Sequence, residues 1–217
     1  GCGPTNVGNT NTRIFPVLDM KKIAVIILNW NGADLLRKFL PSVCAHTNAH
    51  IADVIVVDNG SDDNSVEVLK QEFPQVKTLL FPQNCGFAAG YNKALEMLDY
   101  KYAVLLNSDV ETTPHWLEPL LEFAEDNPDV AACQPKIKSL RRREKFEYAG
   151  AAGGFIDRYG YPFCRGRIFN TLETDRGQYD DICDIFWASG AALFVRSEIY
   201  KKVGGLDPSF FADRKSV

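Results

Sequence analysis

A cluster of oxygen-bearing side chains follows directly after a buried strand in the stretch YAVLLNSDVETTPHW (102–116). The apolar run Tyr102–Leu106 predicts a β-strand, and Asn107, Asp109 and Glu111 come at once after it. Carboxylates are the ligands that hard divalent cations such as Mg²⁺ and Mn²⁺ prefer. The spacing therefore predicts a cation site where this strand ends, with Asp109 as its main ligand and Glu111 as a second candidate.

Three earlier strand ends carry the same kinds of residue. The predicted strands run into NWNG, DNGSDD and PQNCGFAAGYN, all rich in Asn, Asp and Gly. Each of these alone is an ordinary turn former, so a purely structural interpretation stays open for any one of them. Gly86 and Gly90 also fit the close packing of a helix on a strand. Because ligands bind an open parallel sheet beyond the carboxyl ends of its strands, the joint occurrence favours a polar ligand site.

Length, charge and hydropathy exclude several function classes. A chain of 217 residues, 46% of them hydrophobic, is long enough for one well-buried domain. A pI near 5.4 and a net charge of -4 argue against nucleic-acid binding, and no apolar run approaches the roughly 18 residues of a membrane span. We expect residues 20–217 to form a single domain, preceded by a disordered leader over residues 1–19, which are rich in Gly, Asn and Thr.

The order of elements predicts an α/β fold. Apolar strand-like runs occupy residues 21–28, 52–58, 76–81, 102–107 and 130–137, and amphipathic helical stretches occupy 33–47, 64–73, 88–98 and 114–127. Such alternation predicts right-handed crossovers and a mostly parallel sheet with helices on both faces. From about 139 to 181 the pattern breaks, which predicts a long excursion over the sheet.

The motifs at the strand ends narrow the ligand class. The turn after the first strand is NWNGAD, which is neither the G-x-G-x-x-G of a dinucleotide-binding fold nor a P-loop. A carboxylate after the second strand suits a hydrogen bond to a base or ribose. Carboxylates after the fourth suit a cation whose remaining ligands are phosphate oxygens. A metal-bridged nucleoside diphosphate fits this arrangement.

Five longer stretches point to a known family. They are VIILNWNGADLLRKFLPSV, VIVVDNGSDDNSVE, NCGFAAGYNKAL, LLNSDVETTPHWLEPLL and WASGAALFVRSEIYKKVGGLDPSFF. Together they resemble the family-2 glycosyltransferases, in particular the rhamnosyltransferase-like branch, over nearly the whole chain and in the family's order. The resemblance implies a GT-A fold, which is a Rossmann-like α/β fold. It also implies inverting transfer of a hexosyl or rhamnosyl group from a nucleotide-diphosphate sugar to an acceptor hydroxyl.

The resemblance also assigns residues to a nucleotide-sugar site. Asn29 and Asn31 would lie at the edge of the nucleotide pocket, and Asp58 would hold the base. The residues that would line the ribose and diphosphate are Asn84, Gly86, Asn92 and Asn107.

The metal motif and the acceptor side follow from the same comparison. Asp109 stands at the last position of the family's D-x-D-like motif, while Asn107 replaces its first carboxylate. The implied cofactor is a divalent cation, Mn²⁺ or Mg²⁺. Trp187, Ser189 and Gly190 of the stretch WASGAA would lie beside the donor sugar and the acceptor.

Inverting transfer needs a general base to take the proton of the acceptor hydroxyl. In the family, that base is a carboxylate in a Glu-Asp-containing segment shortly after the stretch that matches GGLDPSFF. Here ADRKSV follows, in which Asp213 is the sole acid and the candidate base. We therefore expect the domain to lack the family's usual C-terminal elements, and the chain to bind donor but transfer sugar slowly. A catalytically disabled donor-binding remnant and, more distantly, a sugar nucleotidyltransferase are the alternatives.

The cysteines and one basic stretch give indications of where in the cell the protein acts. The six cysteines form no C-x-x-C pair and no export signal precedes them, which favours free thiols in the cytoplasm. The run SLRRREKF predicts a solvated loop, with contact to a phosphate or a membrane surface as the alternative. The expected partners are a nucleotide-diphosphate sugar and a glycan or lipid-linked glycan acceptor, met at the inner face of the membrane during cell-surface polysaccharide or glycoconjugate synthesis.

Overall fold

The computed structural model describes residues 21–209, which form an α/β fold with one large and one small sheet. The strands are β1 (Ile23–Asn29), β2 (Ala52–Asn59), β3 (Lys77–Phe81), β4 (Tyr102–Leu106), β5 (Ala132–Cys133), β6 (Gly154–Ile156), β7 (Pro162–Cys164), β8 (Arg167–Ile168), β9 (Thr171–Leu172) and β10 (Ala192–Arg196). The helices are α1 (Ala33–His46), α2 (Ser65–Glu72), α3 (Phe87–Met97), α4 (Glu118–Asp126) and α5 (Ser197–Lys202).

The large sheet has the strand order β3-β2-β1-β4-β10-β5. Strands β1 to β4 are mutually parallel, with β1 at the centre between β2 and β4. Strand β10 is antiparallel to both of its neighbours. The mostly parallel sheet predicted from the alternation of elements is therefore confirmed, and the carboxyl ends of β1 to β4 share one edge.

Helices cover both faces of this sheet because successive strand residues point to opposite sides. Ile23 and Val25 of β1 belong to the apolar cluster that includes α1, α2 and α4, whereas Ala24 and Ile26 belong to the cluster that includes α3 and α5. Two buried faces explain why the central strands β1 and β4 are apolar along nearly their whole length. No helix among the described residues is both long and apolar enough to cross a bilayer.

Two predicted elements differ from those observed. Helix α4 begins at Glu118 instead of residue 114, because His115 has a left-handed φ of 59° that no α-helix contains. The strand predicted over 130–137 shrinks to Ala132–Cys133 at the edge of the sheet, where Pro135 brings no N–H for a ladder bond. Strand β10, which the element order did not predict, lies between β4 and this short strand.

The predicted excursion between residues 139 and 181 contains the small sheet, ordered β6-β7-β8-β9. Its inner side packs around Phe146, which is completely buried, together with Ala151 and Cys164. An isolated bridge joins Gly154 of β6 to Trp187, which leads into β10. The excursion is therefore a second, smaller packed unit and not an irregular loop.

Some predictions fall on residues outside 21–209. They are the leader over residues 1–19 and the candidate base Asp213. Among the described residues the cysteines are free thiols, namely Cys44, Cys85, Cys133, Cys164 and Cys183.

Candidate functional site

Asp58 ends β2 as a buried carboxylate, 2% exposed, whose oxygens hold the adjoining loop. Its Oδ1 accepts hydrogen bonds from Ser61 Oγ (2.6 Å) and Asn29 Nδ2 (3.1 Å). Its Oδ2 accepts one from the Ser61 N–H (3.0 Å). Asp58 therefore lies at the predicted edge and fixes the ends of β1 and β2 to one another. Any contact that it makes with a ligand adds to these three internal bonds.

Asn29 carries a polar atom without a partner at the same place. The residue is 1% exposed, and within the described part of the chain its Oδ1 accepts no hydrogen bond. A Cβ on Gly32 would lie 2.4 Å from this oxygen, so glycine is needed for the turn to pass it. A buried acceptor left unpaired costs about 1–3 kcal/mol. Asn29 Oδ1 is thus a group that a donor on a ligand, or a water molecule, would satisfy.

Asn31 and Asp63 join the loop after β1 to the loop after β2. Asn31 has a left-handed φ of 50°, and its Oδ1 accepts hydrogen bonds from the N–H groups of Asp62 (2.8 Å) and Asp63 (3.3 Å). Asp63 in turn accepts from the N–H groups of Ala33 (3.1 Å) and Ser65 (2.9 Å). One carboxylate thereby caps the first turns of α1 and α2. Asp63 was missed in the sequence because nothing local indicates a cap shared by two helices.

Asp63→Ala is expected to lower the free energy of unfolding by about 1–3 kcal/mol at pH 7, since one substitution removes two helix caps. Burial opposes ionisation of Asp63, but its hydrogen bonds with Ser65 and Ala33 outweigh burial and lower its pKa. The stabilisation is therefore complete above the pKa of an unfolded Asp, about 3.9, and disappears as the pH falls through the lower folded pKa.

The matched control is Asp62→Ala, which removes the same charge one residue away. Urea unfolding of both variants at pH 7 and pH 3 tests the role. Equal losses for Asp62→Ala and Asp63→Ala at pH 7 would show that Asp63 does not act as a cap.

The loop after β3 is held by a pair of amides. Asn59 Nδ2 donates to Asn84 Oδ1 (2.9 Å) and to the carbonyl of Gly86 (3.2 Å), while Asn59 Oδ1 accepts from the Cys85 N–H (2.9 Å). Asn84 Oδ1 also accepts from the Gly86 N–H (2.7 Å). Gly86 precedes α3 with a φ of 81°, which favours glycine. The buried Asn59 was missed because the sequence DNG is also an ordinary turn.

Gly60→Ala is expected to destabilise the protein by about 2–5 kcal/mol. Alanine is disfavoured at a left-handed φ, and its Cβ would also clash with the backbone of a neighbouring loop. Gly60 has a φ of 72°, and a Cβ there would lie 2.6 Å from the backbone of Gln83. Gly160→Ala is the matched control, since its φ is 88° and a Cβ would meet nothing within 4 Å. Thermal unfolding of both variants measures the difference. If both variants lose a similar amount of stability, the close approach of the loops after β2 and β3 does not contribute to the stability of the protein.

The end of β4 lies beside the stretch WASGAA. The Asn107 N–H donates to the Ala191 carbonyl (3.0 Å), and a Cβ on Gly190 would lie 3.5 Å from the ring of Phe87, the first residue of α3. Asp109 is exposed two residues beyond Asn107. The ends of β3 and β4 and the residues before β10 therefore adjoin at one edge.

Tyr91 of α3 is buried against the end of β4. Its Oη donates to the Leu106 carbonyl at the end of β4 (3.0 Å), and its ring meets Phe87 edge to face at 5.0 Å. Burial, with a smaller contribution from the negative charge of Asp109, raises the pKa of Tyr91. The phenol therefore stays protonated and keeps its hydrogen bond to the strand end.

Ser189 and Trp187 bind the small sheet to the edge. The Ser189 N–H donates to Gln134 Oε1 (2.6 Å), and Ser189 Oγ donates to the Ala149 carbonyl (3.0 Å). Trp187 Nε1 donates to the Phe155 carbonyl (3.0 Å). These side chains thus position the stretch WASGAA, while Gly190 presents backbone at the edge. Gln134 is a positioning residue that the sequence did not reveal.

The two carboxylates predicted as metal ligands have different surroundings. Glu111 forms a two-pronged ion pair with Arg143 of the basic run, Nη1 to Oε1 at 2.8 Å and Nη2 to Oε2 at 2.9 Å. Among residues 21–209 no group of three or more His, Cys, Asp or Glu side chains is placed to hold a metal ion. A cation at this edge with Asp109 as its predicted protein ligand would therefore need further oxygens from a diphosphate or from water.

Asn92 does not face the edge with its amide. Its Nδ2 donates to the Leu206 carbonyl (2.7 Å), and its Oδ1 accepts from the Leu206 N–H (2.9 Å) and from Tyr200 Oη (2.6 Å). All of these bonds hold the turn that follows α5. The predicted contact of Asn92 with ribose or diphosphate gains no support from this geometry.

Two solved structures have a similar fold. The mannosyltransferase PcManGT from Pyrobaculum calidifontis, in complex with GDP-Man and Mn²⁺, superposes with a TM-score of 0.58 at 15% identity, covering 87% of this chain and 48% of that one. TarS 1–349 of S. aureus in complex with UDP gives a TM-score of 0.59 at 16% identity, covering 88% and 51%. The fold is thus the GT-A fold, as predicted.

Residues 24–203 match the family described as Glycosyl transferase family 2, which is most of the chain. The chain belongs to this family, and the resemblance seen in its motifs is confirmed.

Curated relatives agree with this assignment. YibD of Escherichia coli (strain K12), an uncharacterized glycosyltransferase, is 34% identical over 116 residues, which are 52% of this chain and 33% of that protein. The N-acetylglucosaminyl-diphospho-decaprenol L-rhamnosyltransferase of Mycobacterium tuberculosis is 24% identical over 210 residues, covering 90% of this chain and 68% of that one. The O-antigen biosynthesis protein RfbC of Myxococcus xanthus is 26% identical over 199 residues, and the match covers only 15% of its length.

Proposed function

We propose that this chain transfers a sugar from a nucleoside-diphosphate donor to an acceptor hydroxyl. The observation that carries the proposal is the joined edge of the sheet, where hydrogen bonds tie the loops after β1, β2 and β3 together around the buried Asp58. Family membership supports the same reaction class. So does the relative named as an L-rhamnosyltransferase, whose match covers 90% of this chain.

The donor would lie across this edge from β2 to β10. Asp58, Asn29 and Asn31 would contact the nucleoside, and the unpartnered Asn29 Oδ1 would accept a hydrogen bond from the base. The ribose and diphosphate would lie against the loop of Asn84 and Gly86 and against Asn107. The sugar would then extend toward the backbone at Gly190, which adjoins the acceptor side.

Asp109 would hold a divalent cation, Mn²⁺ or Mg²⁺, against the diphosphate. A bound cation stabilises the negative charge that develops on a departing diphosphate. Asp109 suits this role because it is exposed three residues after the buried strand β4 ends.

Transfer with inversion would proceed by direct displacement. The acceptor oxygen attacks the anomeric carbon, the bond from that carbon to the diphosphate breaks, and the hydroxyl proton passes to a base. Within the edge, this chain's own contribution would be to orient the donor with Asp58 and the loops so that one face of the sugar stays open to the acceptor.

The acceptor would be a glycan or a lipid-linked glycan used in cell-surface polysaccharide or glycoconjugate synthesis. Two of the relatives support this setting, since their names refer to O-antigen biosynthesis and to a diphospho-decaprenol substrate. The reaction would then take place in the cytoplasm, at the inner face of the membrane.

Thermal unfolding with a panel of UDP-, dTDP- and GDP-sugars, each with and without Mn²⁺, tests the proposal. One nucleotide class is expected to raise the melting temperature, and the rise should be larger with Mn²⁺. Release of the free nucleoside diphosphate over hours would report slow donor hydrolysis. A folded protein that no donor stabilises with Mn²⁺ present would refute the proposed function.

A further inference from the structure

Arg167 of β8 stacks on Tyr148 and forms no ion pair within residues 21–209. Its guanidinium lies over the tyrosine ring, with the Cζ atom 4.1 Å from the ring centroid. In that part of the chain the stack is the only polar or aromatic contact of the Arg167 side chain, and its Nε is buried without a hydrogen-bond acceptor. Arg165 differs, because Asp181 forms an ion pair with it at 3.1 Å. The charge of Arg167 is therefore available to a ligand.

The acids closest along the chain do not balance this charge. Glu173, which directly follows β9, accepts hydrogen bonds from Tyr179 Oη (3.1 Å) and Gln178 Nε2 (3.3 Å). Glu147, which precedes Tyr148, forms no ion pair in the described part of the chain. An anion at the guanidinium would therefore displace no existing ion pair.

Lys145 contributes a second positive charge next to β8 and β9. Its Nζ donates to the carbonyl of Leu172, the residue that pairs with Arg167 (3.3 Å). With the residues that the structure describes, Lys145 forms no ion pair either. Two cations without counter-charges on adjoining segments favour an anionic ligand.

A folding role alone does not explain an arginine at position 167. Methionine would cover the ring of Tyr148 as well, since its thioether packs favourably against aromatic rings. Methionine would also avoid placing an N–H group in the interior without an acceptor, which is destabilising. The charge of Arg167 is thus a feature that binding would use and folding would not.

The stack adjoins the stretch WASGAA. Tyr148 is 48% exposed, so part of its ring remains open beside the guanidinium. The residues that follow it lie against Ser189, since the Ala149 carbonyl accepts from Ser189 Oγ (3.0 Å) and a Cβ on Gly150 would lie 2.4 Å from the Ser189 Cβ. Tyr148 is thus one residue away from backbone that contacts this stretch, toward which the proposed function directs the donor sugar.

We propose that Arg167 and Tyr148 bind a sugar phosphate. A guanidinium donates two parallel N–H bonds to a phosphate group, and stacking on an aromatic ring holds this fork in one orientation. The open part of the tyrosine ring suits the apolar C–H groups of a sugar, and its Oη can donate to a sugar hydroxyl. A sugar carboxylate would meet the same guanidinium, and the test below distinguishes the two anions.

A sugar phosphate held there would belong to the acceptor. The proposed acceptor is a glycan or a lipid-linked glycan, and a phosphate that joins such a glycan to its carrier would supply the anion. With this phosphate on Arg167, a hydroxyl of the sugar would turn toward Gly190 and the donor. This consequence rests on the proposed function, whereas the binding of a sugar phosphate does not.

The test is a ligand-observed NMR titration in phosphate-free buffer, without nucleotide or metal. The probes are glucose 1-phosphate and N-acetylglucosamine 1-phosphate, compared with the free sugars, inorganic phosphate and glucuronate. We expect at least one sugar phosphate to bind, and each comparison compound to bind at least about tenfold more weakly, because it lacks the phosphate or the sugar.

Arg167→Met should raise the dissociation constant of the sugar phosphate at least about tenfold, since charged hydrogen bonds are lost. Its melting temperature should be no lower than that of the parent, because the substitution removes a buried N–H without an acceptor. Arg167→Lys keeps the charge but loses the two-pronged geometry, so its affinity should fall between those of the parent and Arg167→Met.

Arg158→Met is the matched control. The guanidinium of Arg158 also lies over a tyrosine ring, that of Tyr159 at 4.6 Å, and its loss changes the net charge equally. This variant should bind the sugar phosphate as the parent does. The proposal is overturned if the parent binds neither sugar phosphate, if both Met variants weaken binding equally, or if inorganic phosphate or glucuronate binds as tightly. Donor binding is measured separately with nucleotides, so either proposal can fail alone.

Discussion

Asp109→Asn is expected to remove the cation-dependent part of donor binding while leaving the melting temperature of the ligand-free protein nearly unchanged. A donor at a hundred times its dissociation constant stabilises a fold by about 2.7 kcal/mol, and the share that requires Mn²⁺ should vanish. Donor turnover should fall about 10²–10³-fold, the usual cost of losing one group that stabilises developing charge. Thermal unfolding with and without Mn²⁺, together with release of the nucleoside diphosphate, measures both effects.

Glu111→Gln is the matched control for Asp109→Asn. Glu111 lies two residues after Asp109, and the sequence predicted both side chains as metal ligands at the end of β4. The guanidinium of Arg143 forms hydrogen bonds with Glu111, lowers the pKa of this carboxyl group and balances its negative charge. We therefore expect Glu111→Gln to keep the full effect of Mn²⁺. If Glu111→Gln abolishes that effect and Asp109→Asn does not, the assignment of the metal ligand must be reversed.

Asp58→Asn is expected to weaken every nucleotide tested by about 1–3 kcal/mol, the range for a lost charged hydrogen bond. It should also destabilise the ligand-free protein by a similar amount. The reason is that the carboxylate accepts bonds from Asn29 and from both the N–H and the hydroxyl of Ser61, and an amide cannot accept them all. Calorimetric titration and urea unfolding separate the two effects.

Asp53→Asn provides the comparison for Asp58→Asn. Asp53 lies near the opposite end of the same strand and accepts hydrogen bonds from Lys21 (2.6 Å), Lys77 (2.8 Å) and Tyr100 (2.8 Å). Its substitution should lower stability but leave nucleotide affinity unchanged. A nucleotide-bound crystal structure with Asp58 far from both base and ribose would contradict its assigned role.

The parallel half of the fold could be predicted because local signals agree with the tertiary arrangement there. Strands β1, β2 and β4 are mostly buried apolar runs that end in, or are followed by, Asn or Asp, and the packing that buries both of their faces demands such runs; β3, at the edge of the sheet, alternates in exposure instead. Strand β10 was missed although Ala192–Arg196 is itself a short, mostly apolar run, because its antiparallel pairing depends on β4, which is far away in sequence. Non-local pairing leaves little trace in a local pattern.

The positions of the candidate site residues in the fold could be predicted, but their hydrogen bonds could not. Strand ends placed Asp58, Asn84 and Asp109 at one edge, yet the amide of Asn92 turned out to hold the turn after α5. Asn59 and Asp63 were missed, although both bind two loops together. The sequence does not distinguish an asparagine or aspartate that forms hydrogen bonds within its own turn from one that forms them with a neighbouring loop.

The hydrogen bond from the Ser189 N–H to Gln134 Oε1 joins two residues that are 55 positions apart and encloses the whole small sheet. Residues 135–188 thus leave the large sheet and return to it at nearly the same point, as an inserted segment does. A segment anchored in this way can change in length or sequence during evolution at a modest entropic cost, because loop closure grows only with the logarithm of length. Selection could therefore exchange the segment that carries the small sheet among enzymes of this family while the large, mostly parallel sheet is inherited unchanged.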